Sequence, residues 1–334
     1  MVVRREALSE HVSDVSEAQD VPEDLSGGID VSGRSFTQDF VLTDELEHLA
    51  SRSLRYLDAR IPIHFRGRAG CGKTALALYL AHELGRTVYF LNGDAMRDTA
   101  SLVGQESGVK TRQVFDRYIH SVHKVERETT MNWRADVLTQ AALGGGTLVY
   151  DEFTRSPAEA NNALLSVLEE GILVLPAAAG QGSFAPVHDD FRVIFTSNSR
   201  EYAGVQAPQD ALIDRMITFD LDDLEGETET AIVAHRTMLQ PSAAARIVAA
   251  VREFRQSGAY TQVPTMRASL MIAQVAGRTN MAVSIEDPAF CDLVLDVLLS
   301  KGLEGQDQTR LRSALMDILA LHCPPTATAS RKRA

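Results

Sequence analysis

Apolar positions along the chain fall into two regimes. Up to about residue 220 short apolar runs alternate with helical stripes, and beyond it only helical stripes remain. Residues 1 to about 35 carry no sustained period, and their Ser, Asp, Glu, Val and Gly predict an acidic, disordered tail. From Thr43 the pattern changes. Thr43 is expected to cap a helix whose first turn holds Asp44 and Glu45, with Leu46, Leu49, Ala50, Leu54 and Leu57 on one face. Ile61–Phe65 then reads as a buried strand, Lys73–Leu84 as a helix stopped by Gly85, and Thr87–Leu91 as a second strand.

Leu102-Val103-Gly104 is expected to be a turn after a short helix. Lys110–Arg127 is expected to be helical, through Val114, Phe115, Tyr118, Ile119 and Val122. Val137–Leu143 is a helix that Gly144-Gly145-Gly146 stops, and Thr147–Tyr150 is an apolar run ending in Asp151-Glu152. Ser156-Pro157 opens the next helix with proline at its first position, and Ala160, Ala163, Leu164, Val167 and Leu168 form its stripe. Ile172–Pro176 and the loop Gly180–Ser183 suggest a hairpin. Arg192–Asn198 and Met216–Phe219 complete the strands, with a short helix over Asp210–Arg215 between them. Five helices follow, over Thr228–Leu239, Ala243–Ser257, Thr265–Ala276, Asp287–Leu299 and Thr309–Leu321. The order βαβα and then helices alone predicts a parallel α/β domain followed by a small helical one.

Composition narrows the class. A chain of 334 residues with 45% hydrophobic content can bury the cores of two globular domains. Its net charge of −12 counts against a nucleic-acid-coating surface, so no nucleic-acid partner is expected. No apolar run is long enough for a membrane span, and Met1-Val2-Val3-Arg4-Arg5 leads into polar residues rather than a secretory core. Three widely spaced cysteines, Cys71, Cys291 and Cys323, form neither a metal spacing nor a disulfide framework and suit a reducing cytoplasm.

The candidate chemistry begins at Gly67-Arg68-Ala69-Gly70-Cys71-Gly72-Lys73-Thr74, which fits G-x-x-x-x-G-K-[ST] between a strand and a helix. Its glycines let the backbone curl and aim successive N–H groups into one concavity, where the helix N-terminus adds its positive end. Lys73 suits the β- and γ-phosphates of a nucleoside triphosphate such as ATP, and the Thr74 hydroxyl suits Mg²⁺. An apolar strand ending in Asp151-Glu152 has the form of a Walker-B strand, with Asp151 toward the metal and Glu152 polarising a water. Asn198 closes a strand with polar residues at its C-terminal end, the end that faces ligand in parallel sheets. It would bond the attacking water or the γ-phosphate, or cap the strand through an Asx turn. Cys71 is either an oxidation-sensitive thiol or simply a small residue that fits.

Phosphate loop, Asp-Glu strand, Asn-ended strand, Asp-Arg helix and helical lid together resemble an AAA+ ATPase. Tyr150-Asp151-Glu152-Phe153-Thr154-Arg155 with Asn161-Asn162-Ala163-Leu164-Leu165 is similar to the MoxR branch. More narrowly, His64-Phe65-Arg66-Gly67, the stretch from Glu159 to Glu170, Phe195-Thr196-Ser197-Asn198 with Glu201-Tyr202-Ala203-Gly204-Val205, and Gln209–Met216 resemble the GvpN family of gas-vesicle proteins. The resemblance implies a P-loop AAA+ domain over residues 36–222, a helical lid over 223–323 and a tail over 324–334. It implies a homo-oligomeric, hexameric ring in the cytoplasm or at gas vesicles, with gas vesicle structural or accessory proteins as partners. It implies that Asn198 is sensor 1, that Arg215 reaches the neighbouring subunit's γ-phosphate with Arg155 as the other candidate, and that Arg267 is sensor 2. Two other activities share the same residues: chaperone-like activation of a metalloenzyme, such as Rubisco or nitric-oxide reductase, and nucleotide sensing with little hydrolysis.

Overall fold

The computed structural model describes residues 40–115, 125–175, 184–198, 210–221, 223–237, 239–302 and 308–325, with side chains described outside 105–132. The expected tail at 1–35, all but Pro324 and Pro325 of the expected tail at 324–334, the loop Gly180–Ser183 and the stretch Glu201–Val205 lie outside these residues.

Five strands form one parallel sheet: β1 (Ile63–Gly67), β2 (Val88–Asn92), β5 (Thr147–Asp151), β8 (Arg192–Asn198) and β9 (Ile217–Leu221), in the order β2-β5-β8-β1-β9. The strands are nearly continuous apolar runs because helices cover both faces, as parallel sheets require. On one face lie α1 (Asp44–Asp58) and α2 (Lys73–Glu83), where Leu57, Leu76 and Leu80 are almost fully buried. Truncating one of them to alanine would cost about 2–5 kcal/mol. A second core gathers Leu138 of α4 (Val137–Gly144), Leu164 of α5 (Ala158–Glu169), Tyr150 and Phe153.

Register decides where the polar residues land. Gly67 pairs with Asn198 across β1 and β8, Tyr150 with Phe195 across β5 and β8, and Asn92 with Asp151 across β2 and β5. The C-terminal ends of four strands therefore meet along one edge, with β8 between the phosphate-loop strand and the Asp151 strand.

Past β9 the chain is helical: α7 (Gly226–Thr237), α8 (Pro241–Ser257), α9 (Met266–Thr279), α10 (Pro288–Leu299) and α11 (Gln308–His322). They share a third core around Phe254, Ile272, Phe290, Leu298 and Leu315. A smaller cluster of Leu46, Leu224, Ile232 and Met266 joins this helical region to α1 and the end of the sheet.

Three expectations are corrected. Among the described residues of Lys110–Arg127 there is strand in place of the expected helix: α3 (Ala100–Val103) leads into β3 (Gly104–Phe115), which pairs antiparallel with β4 (Val125–Ala135). Val125, Thr129, Met131 and Trp133 recur at period two, the strand period, and Val and Thr favour pleated backbone. Tyr118, Ile119 and Val122 lie outside the described residues. Thr43 takes the N-cap backbone position but makes no capping bond, and its hydroxyl instead meets that of Thr228 on α7 at 3.1 Å. Pro157 is the N-cap of α5 rather than its first residue. The expected hairpin after Gly171 is present as β6 (Ile172–Val174) paired with β7 (Phe184–Pro186), and the short helix before β9 as α6 (Asp210–Ile213).

His64, 1% exposed in β1, bonds Ser197 Oγ through Nε2 at 2.8 Å and Thr218 Oγ1 through Nδ1 at 3.1 Å. Burial, reinforced by the Arg66 charge, pushes its pKa from 6.5 down to about 4. The folded state thus resists protonation that the unfolded chain accepts. Stability is expected to be full above pH 6.5 and to fall by about 3 kcal/mol as pH drops toward 4. Urea unfolding across that range checks this, and His64→Leu should flatten that part of the slope.

Candidate functional site

The elements deliver their side chains to a cleft of about 410 Å³ between the sheet edge, the phosphate loop and the helical region. Residues 69–76 form one wall; Asp151, Glu152, Thr196 and Asn198 form the floor; Arg236, Met266 and Arg267 come from the helices. Its far end is apolar, through Phe40, Val41, Leu46, Leu224, Ile232 and Leu270. A cleft polar at one end and apolar at the other suits a phosphorylated ligand with an aromatic base.

The loop between β1 and α2 owes its curl to Gly70 and Gly72, at φ of 86° and 96°, a left-handed region that disfavours side chains. Lys73, 5% exposed, extends back under it. Its Nζ donates to the carbonyls of Gly67 at 3.1 Å and Arg68 at 2.6 Å, and to Asn198 Oδ1 at 3.1 Å. Burial lowers the Lys73 pKa, against the pull of Cys71, Asp151 and Glu152. Cys71 is buried with Sγ 3.8 Å from that ammonium.

Across the cleft, Thr74 Oγ1 donates to Asp151 Oδ1 at 2.7 Å. Thr196 donates to the same oxygen and accepts the Glu152 N–H at 3.0 Å. Glu152 sits at φ 50°, ψ 38°, an uncommon conformation for a residue with a side chain. Its surroundings enforce it. Phe153 is fully buried, edge-on to His64 and Phe195. Asn161 donates to the Phe153 carbonyl at 3.4 Å and, with Ser156, bonds the Tyr150 hydroxyl. Gly93 packs so closely that a Cβ there would lie 2.0 Å from the Glu152 carbonyl oxygen. Both Glu152 carboxylate oxygens are engaged: Oε1 accepts from Asn198 Nδ2 at 3.2 Å, and Oε2 from Arg155 Nη1 at 2.8 Å.

Of the residues singled out in the sequence, Ala69, Gly70, Cys71, Gly72, Lys73, Thr74, Asp151, Glu152, Asn198 and Arg267 all border this cleft. Gly67 contributes its carbonyl to Lys73, and Arg68 turns its side chain outward to Asp223 at 3.6 Å. Arg155 approaches Glu152 of its own chain. Arg215 does not border the cleft; its guanidinium bonds Glu169 and the Ala211 carbonyl. Two polar cleft residues were not singled out in the sequence. Thr196 lies two residues before Asn198 on the same strand, so the parallel register carried its signal. Arg236 lies one helical turn after the buried Ile232.

Residues 62–216 match the AAA domain of the dynein-related subfamily. The chain is 47% identical over 300 residues to the gas vesicle ATPase GvpN of Ancylobacter aquaticus, covering 88% of this chain and 84% of that protein. It belongs to the GvpN family. GvpN of Haloferax mediterranei is 41% identical over 82% of this chain and 78% of its own length. Among solved structures, NtrX from Brucella abortus in complex with ADP is 15% identical, with a TM-score of 0.50 over 85% of this chain and 64% of that one, a likeness of fold alone. As a GvpN-family member with an AAA domain, the chain is an ATP-hydrolysing enzyme.

Gly70 touches the helical region directly: a Cβ added there would lie 2.8 Å from Thr265 Oγ1 and 3.3 Å from Arg267 Cγ. Gly70→Ala is therefore expected to strain the loop by about 1–3 kcal/mol and to push Thr265 away. Nucleotide titration should read at least a tenfold loss of affinity, with a lowered melting temperature.

Proposed function

We propose that this cleft binds ATP with Mg²⁺ and that the GvpN-family chain uses its hydrolysis to assemble or remodel proteins during gas vesicle formation. The observation that carries this reading is the convergence of Lys73, Thr74, Asp151, Glu152 and Asn198 on one cleft. The donor set suits the metal: a hydroxyl beside a carboxylate is the oxygen pair a small hard cation takes, leaving its other positions to phosphate and water. Bound there, Mg²⁺ would neutralise phosphate charge, with Thr74 and Asp151 as its protein ligands.

The chain's own residues do the rest. Lys73 leaves its carbonyl partners for phosphate oxygens, a better match for a buried ammonium. Backbone N–H groups of the loop hold the remaining oxygens, and the apolar end at Leu46, Ile232 and Met266 receives the base. Asn198 orients a water. Glu152 takes its proton as the oxygen attacks the terminal phosphorus, and the bond to the ADP oxygen breaks. Arg155, paired with Glu152 Oε2, holds the carboxylate in its charged, proton-accepting form. Arg236 and Arg267 lend positive charge from the helical side, on which the two-domain division at 36–222 and 223–323 rests.

Arg215 faces away from its own cleft, which fits a residue donated across a ring of subunits, a hexamer in this reading. The gas-vesicle role is supported by the 47% and 41% identities to vesicle ATPases, each over more than four-fifths of the chain, and this favours it over activation of a metalloenzyme. Vesicle structural or accessory proteins are the proposed clients. Among the described residues no helix is long and apolar enough to cross a membrane, and the proposed location is the cytoplasm, at the vesicles.

Lys73→Ala is expected to abolish nucleotide binding by titration. Glu152→Gln should retain binding while phosphate release falls by about 10²–10⁴. Wild-type release no faster than Glu152→Gln would instead favour the sensing role. Arg215→Ala should bind ATP yet lose about 10³ or more in turnover, and mixing with Glu152→Gln subunits should restore part of it. Deleting the gene should abolish buoyant, gas-filled vesicles.

A further inference from the structure

Outside the cleft, a chain of charges runs from the phosphate loop into the helical region. Arg68 Nη1 lies 3.6 Å from Asp223 Oδ2, and the same oxygen lies 3.3 Å from Arg255 Nη1. That nitrogen also donates to Glu229 Oε1 at 3.0 Å, an oxygen 3.5 Å from Arg252 Nη1. Asp223 stands in the short connection between β9 and α7, where the sheet passes into the helices. Arg255 on α8 and Glu229 on α7 are only 8% and 2% exposed.

Arg255 has a second arm. Its Nε donates to the Pro264 carbonyl at 2.7 Å. The next residues are Thr265 and Met266, followed by Arg267, and Thr265 and Arg267 are the two side chains that abut Gly70. The path thus leaves the phosphate loop at Arg68 and returns to it at Gly70, with one buried guanidinium between. Burying charges for stability alone is poor economy, because an apolar replacement often does as well. The pairing is also incomplete: Arg255 Nη2 and Glu229 Oε2 are buried without a hydrogen-bond partner among the described residues. A guanidinium–carboxylate fork making one of its two bonds has a second, tighter arrangement available to it.

We propose that Arg255 is a positioning residue that couples the phosphate loop to the helical region through Asp223 on one side and Pro264 on the other. The proposal rests on the reading of the cleft as the ATP site. Phosphate draws the Lys73 ammonium off the Arg68 carbonyl, and that segment of loop shifts. Arg68 carries the shift to Asp223. Arg255, shared between Asp223 and Glu229, passes it to α7 and to the start of α9, so Arg267 advances on the cleft as the loop fills. Coupling of this kind is reciprocal: whatever moves the helices also changes nucleotide affinity.

Asp223→Asn in the full-length protein tests this, since Asp223 is only partly buried. Binding of a fluorescent methylanthraniloyl-ADP with Mg²⁺ is expected to weaken three- to tenfold. Nucleotide-induced protection of residues 265–270 from amide hydrogen exchange is expected to shrink, and Asp223→Glu should restore both. Combining Asp223→Asn with Arg68→Ala should weaken binding no further than the worse single change, because both cut one path. A lowered melting temperature with nucleotide-induced protection at 265–270 intact would make Asp223 purely structural and overturn the proposal, whatever the change in binding. Binding within twofold of wild type, with full protection at 265–270, overturns the proposal while leaving the cleft reading untouched. Failure of the wild type to bind the probe overturns the cleft reading and the proposal together.

Discussion

A buried ammonium group without a carboxylate partner is the constraint on which the site depends. Lys73 has given up water, and among the described residues it holds only two carbonyls, an amide oxygen and a distant thiol in exchange. Neutral acceptors compensate a desolvated charge incompletely, which is why its pKa is depressed. Such a group is satisfied by an anion delivered from outside. In the proposed function that anion is phosphate, which the loop glycines, Asn198 and the strand register would position.

The second carboxylate of the pair is constrained by architecture instead of by charge. Glu152 holds a left-handed backbone because Phe153 is locked into the core and because Asn161, Ser156 and the close approach of Gly93 clamp the turn around it. The long sequence words around Asp151 and Asn161 are thus mostly scaffolding. They fix where one carboxylate points, and the chemistry itself is done by few atoms.

The phosphate loop and the Asp151-Glu152 strand were legible in the sequence because their chemistry demands fixed residue types at fixed spacing, and the parallel sheet because buried strands are continuous apolar runs. The β3–β4 ribbon was not. Val114 and Phe115 happened to continue a three-four spacing into residues beyond the strand, while the period of two in Val125, Thr129, Met131 and Trp133 was the truer signal. Thr43 stood where a cap belongs but found a tertiary partner in Thr228. Thr196 was legible only as one of the polar residues closing its strand, while Arg255 was invisible: its importance lies in neighbours on other elements, and a charge buried on α8 looks in sequence like any solvated arginine. The helical region's five segments were placed within a few residues because each carries a wide apolar stripe.

The β3–β4 ribbon has a mechanical consequence. It is a two-stranded sheet of its own, about 35 Å long at ordinary strand rise, and its main attachments to the body are α3 and α4 at its base. There Val103 is clamped, its carbonyl accepting from the Asp136 amide at 3.1 Å and from Thr139 Oγ1 at 2.6 Å. Among the described residues the ribbon is therefore held chiefly at this base. A sideways load applied far from the base arrives at Val103 and Asp136 as torque multiplied by the lever's length.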